Sequence, residues 1–196
     1  RFCDHLIVKD KSKNLVVGTY RLLPSFKAQA TGFHAEKIFD IRNIKKIKDN
    51  VLELGRSCVH PNYRSSHVIN FLWRGISEYV NNYKIRFLFG CPRLDITDPE
   101  KVSQIFSFLK QRFYAPENFR VFPLAECQFD VIEDIKISPV QKIITMLPPL
   151  IRGYLKAGAV ICGYPAINKE FDSVVVFMLL DLSSANPLYK RRFSPP

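Results

Sequence analysis

Glu53 and Arg56 stand three residues apart in the stretch from Val51 to Ile76, VLELGRSCVHPNYRSSHVINFLWRGI. Period-2 alternation puts Val51, Glu53, Gly55, Ser57 and Val59 on one face of a strand and Leu52, Leu54, Arg56 and Cys58 on the other. A regular strand would therefore separate the two charges. Gly55 lies between them, and an interior strand glycine often marks a bulge, whose extra residue brings both charges to one side. A carboxylate held by a guanidinium there suits removal of a proton from a nucleophile, and the amides freed by a bulge suit a developing oxyanion. The competing expectation is a buried ion pair that only holds the strand.

His60 and Pro61 then turn the chain into Arg64-Ser65-Ser66, either serine suited to capping a helix. Its apolar positions Val68, Leu72, Ile76, Tyr79, Val80 and Tyr83 recur at helical spacing. The free amides at that helix start suit a phosphate. Cys58 and His60 share a strand face by alternation, a spacing open to Cys-His chemistry as well as to core filling. His5, His34 and His67 have no companions that suggest a metal, so no metal site is expected.

Val-x-Pro-x-Tyr-Arg (Val59, Pro61, Tyr63, Arg64) between that strand and helix resembles the central motif of the GNAT acyltransferases. The resemblance implies an α/β fold with a single mixed central sheet flanked by helices and splayed between the 51–59 strand and a parallel strand at 86–91. In those enzymes a glycine-containing turn holds the donor's pyrophosphate. The matching turn here, Arg64-Ser65-Ser66-His67-Val68-Ile69, has neither glycine, and bulky residues there disfavour a diphosphate. The phosphopantetheine arm of an acyl carrier protein, with one phosphate, fits the turn better than coenzyme A. DHLIV, VVGTYRLLP, LELGRSCVHPNYR, LWRGISEYV, FLFGCPRL, LPPLIRGYLKAGA and VVVFMLLDL, in that order, resemble the bacterial ornithine-lipid-type N-acyltransferases, a group sometimes labelled hemolysin. Arg-Leu-Leu-Pro followed by Glu-x-x-Arg is also similar to the acyl-homoserine-lactone synthases.

These resemblances imply transfer of a 3-hydroxyacyl chain from acyl carrier protein to the α-amino group of ornithine or a similar amino acid, giving a lyso-aminolipid. Glu53 and Arg56 would be catalytic, and Ser57, Cys58, Val59, Arg64, Ser65, Ser66 and His67 would hold the phosphopantetheine arm. Arg21, Phe39 and Asp40 would wall the acceptor side. Ile38 replaces the acidic residue that precedes Phe-Asp in that family, which bears on acceptor identity. Acyl carrier protein or acyl-CoA would be the co-substrate, with no tightly bound cofactor. The other readings are an acetyl-CoA-dependent GNAT acetyltransferase and a non-catalytic lipid- or membrane-binding module.

The 196 residues are 47% hydrophobic and 24% charged, as expected for one globular domain with a buried core. The chain lacks an initiator Met, so a trimmed piece of a longer protein is expected. The longest apolar run, Val174 to Leu180, is far short of the ~20 residues a membrane span needs, and no signal peptide is visible. Five scattered cysteines suit reduced thiols, hence a cytoplasmic location, peripheral at the inner face of the membrane. The 29 basic and 18 acidic residues give a net charge of +11. Lacking a nucleic-acid-binding motif, that charge points to an acidic carrier protein and an anionic membrane surface, or to a merely solvated basic surface.

Leu6 to Val8 and Leu15 to Leu23 are expected as a hairpin, and Ser25 to Ile41 as a loop with a short element near its end. Thr97 and Glu100 stand at capping-box spacing before a helix whose stripe is Val102, Ile105, Phe106, Leu109 and Phe113. Phe106, Phe108, Phe113, Tyr114, Phe119 and Phe122 suit either an acyl channel or ordinary core. A helical pattern runs from Ser138 to Ala157, broken at Pro148-Pro149 and ended by Gly158. Arg152 and Lys156 share a face of it and are candidates for carrier docking. Ala159 to Gly163 and Val174 to Leu182 complete the sheet as strands.

Overall fold

The computed structural model describes residues 2–64, 66–133, 135, 136 and 138–186. Its elements run β1 (Asp4–Asp10), β2 (Leu15–Pro24), α1 (Ser25–Ala28), β3 (Phe39–Asp40), α2 (Arg42–Lys45), β4 (Asn50–Val59), α3 (Ser66–Asn82) and β5 (Ile85–Gly90). They continue with α4 (Pro99–Phe113), β6 (Phe122–Pro123), α5 (Val140–Met146), α6 (Pro149–Ala157), β7 (Val160–Ile161), β8 (Ala166–Asn168), β9 (Ser173–Val175) and β10 (Met178–Asp181). Two compact units result, one from residues up to 33, 48–89 and 181 onward, the other from 34–47 and 90–180.

The first unit is a mixed sheet in the order β1-β2-β4-β5. β1 pairs antiparallel with β2 (Leu6 opposite Tyr20), β2 antiparallel with β4 (Leu22 opposite Leu54), and β4 parallel with β5 (Leu52 opposite Leu88). Parallel strands need a long crossover, which α3 supplies. Its apolar stripe, Val68, Leu72, Ile76 and Val80, is buried. Each such side chain contributes about 1.5–3 kcal/mol when withdrawn from water. α3 sits close enough to β1 that a Cβ on Gly75 would lie 2.5 Å from Leu6 Cδ1, so glycine sets the depth of that packing.

The β4–β5 ladder runs from Asn50 only to Glu53, opposite Phe89, whereas β4 continues to Val59. β2 follows β4 along that extension, Gly18 standing opposite Val59. β5 itself ends at Gly90, so the far end of β4 runs on beyond its parallel neighbour. Along the extension, Thr19 to Arg21 of β2 faces Gly55 to Cys58 of β4, two steps against three, so β4 carries an extra residue. The bulge expected beside Gly55 is present. Arg56 within it has φ 51°, a left-handed conformation unusual for a side chain of its size.

In the second unit, α4 buries Val102, Ile105, Phe106 and Leu109. Its N-cap is Asp98, whose carboxylate accepts from Lys101 N at 2.9 Å, rather than Thr97. Pro99 takes the first helical position, which leaves the cap to the residue before it. Of the aromatic run, Phe106 and Phe108 are buried, while Phe122 is 60% exposed. Phe106 packs against Tyr114 and Tyr164. α6 ends at Gly158 with φ 103°, the left-handed cap the sequence suggests.

The strand expected over 174–182 is divided. Its first part pairs with β8 as β9, and its second pairs with β7 as β10. Between them Val176 N donates to Pro92 O, while Phe177 O accepts from Cys162 N. The chain therefore changes partners mid-run, which an unbroken apolar run cannot reveal. Cys162 is fully buried, and burial pushes its thiol up.

Candidate active site

Among the described residues of the first unit Glu53 is the one buried acidic side chain, 2% exposed on β4 at the last rung of the β4–β5 ladder. Arg21 on β2 reaches it diagonally, Nη2 donating to Glu53 Oε2 at 3.1 Å. Strand register explains the meeting. Arg21 stands opposite Gly55 and Leu23 opposite Glu53, so the two charged side chains are diagonal neighbours on one sheet face. The guanidinium crosses above Gly55, where a Cβ would lie 2.6 Å from Nη2 and 3.1 Å from Cζ. Glycine thus leaves the lane through which arginine reaches carboxylate. Arg21 Nε is buried without a hydrogen-bond partner in the structure, so one N–H of this guanidinium remains available as a donor.

Past Glu53, β4 presents Arg56, Ser57 and Cys58 exposed and Val59 half-buried. This is the stretch of β4 that runs past the end of β5. His60 follows, its N–H donating to Val17 O and its Nδ1 accepting from Asn62 N at 3.3 Å. The turn, a 3₁₀ segment over Pro61–Tyr63, is anchored by Tyr63, whose hydroxyl donates to Asp10 Oδ2 at 2.8 Å. Asp10 also accepts from Ser12 Oγ and from the N–H groups of Ser12 and Lys13. These bonds, that from Ser12 first, hold its carboxyl at about 2. The end of β1 therefore braces the turn that leads into α3. Arg64 and His67 are exposed at that turn, and the backbone of Ser66 starts α3. Ser65 lies outside the described residues.

Phe39, Asp40, Arg152 and Lys156 belong to the second unit. Phe39 is buried, edge-on to Phe177 at 5.7 Å. Asp40 is held by Arg42, whose Nε donates to both carboxylate oxygens at 3.0 and 2.8 Å, and this lowers the Asp40 carboxyl from its ordinary range. Arg152 Nη1 donates to Ile144 O at 3.3 Å, tying α6 to the end of α5, whereas Lys156 is exposed.

Two site relationships are absent from the sequence reading. The contact of Arg21 with Glu53 depends on strand register, and the bond from Tyr63 to Asp10 joins residues fifty-three apart. The only local signal for the first is Gly55, which the sequence reading used to place the bulge. Among the described residues no cluster of His, Cys, Asp and Glu could hold a metal ion. No helix among them is long and apolar enough to cross a membrane.

Comparison with known proteins places this geometry in a family. Residues 1–74 match the acetyltransferase (GNAT) domain model. The chain is 32% identical over 197 residues to the L-ornithine N(alpha)-acyltransferase of Brucella abortus, covering 95% of this chain and 70% of that one. It is 31% identical to the enzyme of the same name from Rhizobium meliloti, covering 99% of this chain and 71% of that one. The Agrobacterium fabrum enzyme is 31% identical, with 93% and 65% covered. Solved structures similar in fold include a CoA-dependent acyl-homoserine lactone synthase (12% identity, TM-score 0.47, all of this chain and 66% of that one). Another is an aminoglycoside 6'-N-acetyltransferase complexed with coenzyme A (11% identity, TM-score 0.46, 90% and 71% covered). The chain is an N-acyltransferase with a GNAT domain, and it belongs to the L-ornithine N(alpha)-acyltransferase family.

Proposed function

We propose that this acyltransferase moves a 3-hydroxyacyl chain from the thioester of an acyl carrier protein to the α-amino group of ornithine or a closely similar amino acid. The amine nitrogen attacks the thioester carbonyl carbon. The tetrahedral intermediate collapses as the C–S bond breaks, leaving an amide and the free carrier thiol. An α-ammonium group cannot attack, so a base must first take its proton. Glu53 is suited to that task. It is buried and held by Arg21 at the last rung of the β4–β5 ladder, and this observation carries the reading.

In this reading the pantetheine arm lies along β4 beyond the β5 ladder, against Ser57, Cys58 and Val59. Its phosphate sits at the α3 start beside Arg64, Ser66 and His67. Amides near the bulge at Arg56 serve the oxyanion. Arg21 orients Glu53.

Glu53→Gln tests the assignment. The amide oxygen can still accept from Arg21, so the variant should fold with a melting temperature near wild type. Turnover with acyl carrier protein and ornithine should fall by about 10²-fold or more, the range of a positioned base. A variant that loses thermal stability yet turns over normally in its folded fraction would make the pair structural only.

A further inference from the structure

The second unit carries a basic pocket. It has a volume of about 250 Å³ and is lined by Asp40, Arg42, Asn43, Lys46, Arg120 and Phe122. Asp40, the one acid among the described residues that line it, is held by Arg42, with Nη2 at 2.6 Å and Nε on both oxygens. One acid thus faces three cations, and among the described lining residues Lys46 and Arg120 carry the excess positive charge.

Asn43 brackets that pair. Its Nδ2 donates to the Arg120 carbonyl at 3.0 Å and its Oδ1 accepts from Lys46 Nζ at 3.4 Å, so one amide fixes the spacing of both residues. Arg120 also sits over an aromatic ring, its Cζ 3.2 Å from the centroid of Tyr114. Its Nε is buried with no hydrogen-bond partner in the structure. A guanidinium immobilised in this way gives up little further side-chain freedom when it binds an anion. Phe122, 60% exposed, adds an apolar wall beside the charges.

We infer that this pocket binds a phosphate ester, the phosphate between Lys46 and Arg120 and the organic portion against Phe122. Phosphate suits a wall with two spare cations because it offers several acceptor oxygens and up to two charges. The volume admits a group of glycerol-phosphate size. Two sources share this chemistry, a phospholipid headgroup and a free phosphate ester. The inference stands on the second unit alone, and its test reads binding rather than turnover, so it does not depend on the acyl-transfer reading.

The intact protein is titrated with glycerol 3-phosphate by NMR and, separately, floated with vesicles of phosphatidylglycerol or of phosphatidylcholine. Lys46→Glu reverses an exposed pocket charge, and Lys46→Gln removes it. Lys101→Glu, on the exposed face of α4 and outside the pocket, makes the same change in net charge. Losing a charge-assisted contact should weaken phosphate binding about tenfold for Lys46→Glu. Lys101→Glu should stay within about twofold. Site-dependent binding of glycerol 3-phosphate alone would mark a free ester as the ligand. Site-dependent flotation with phosphatidylglycerol, displaced by glycerol 3-phosphate or not, would mark a headgroup. Equal losses in Lys46→Glu and Lys101→Glu would reduce the effect to net charge and overturn the inference. So would binding of neither probe above the phosphatidylcholine control.

Discussion

An alanine at position 55 would place its Cβ 2.6 Å from Arg21 Nη2, closer than real contacts allow, and the mobile party is the guanidinium. Gly55→Ala should therefore push Arg21 off Glu53 without rearranging the strands. We expect kcat/KM to fall about tenfold or more, as for a misplaced catalytic carboxylate. Arg21→Gln should lower it too, and should also destabilise by about 1–3 kcal/mol, since it removes a cation facing a buried carboxylate. Because both changes act on one contact, Gly55→Ala made in the Arg21→Gln background should cost little more. Fully additive losses in that double-mutant cycle would show that Gly55 serves the site in some other way.

The turn between β4 and α3 depends on a bond to another element, from Tyr63 to Asp10 at the end of β1. Asp10 has a folded pKa of about 2, against about 3.9 for an unconstrained aspartate. A depressed carboxyl stabilises the fold above its unfolded pKa, and that contribution is lost as pH falls from about 4 to 2. Asp10→Asn should flatten this part of the melting temperature–pH profile, and a wild-type-like profile would contradict the account. If the same bond steadies the donor turn, Tyr63→Phe should raise the donor KM more than it lowers kcat. At this scale much was legible in the sequence. Alternation gave β4, Gly55 gave its bulge, helical spacing gave α3, and the glycine after Ala157 gave the end of α6. The division of the last apolar run into β9 and β10 was not legible, because the change of partners at Val176 and Phe177 depends on distant backbone. The pairing of Arg21 with Glu53 was hidden for the same reason. Each residue could be named from its local motif, but only the β2–β4 register makes them diagonal neighbours.

For the whole molecule, an excess of eleven positive charges sets up a field that favours an acidic partner. Raising ionic strength from ~0.05 to ~0.5 M shortens the Debye length from ~14 to ~4 Å, so turnover at limiting acyl carrier protein should slow markedly. Acyl-CoA, which has no extended acidic surface, should respond less and should be the poorer donor. Equal rates with both donors, insensitive to salt, would remove the carrier from the account. The central claim is amide formation on an amino acid, and it is tested most directly by mass spectrometry of one incubation. The purified protein is mixed with 3-hydroxyacyl carrier protein and ornithine, and both product and carrier are weighed. The account predicts an N-acylornithine formed in step with free carrier thiol, and lost in Glu53→Gln. Carrier thiol released without any amide, or no reaction with any amino acid offered, would contradict it.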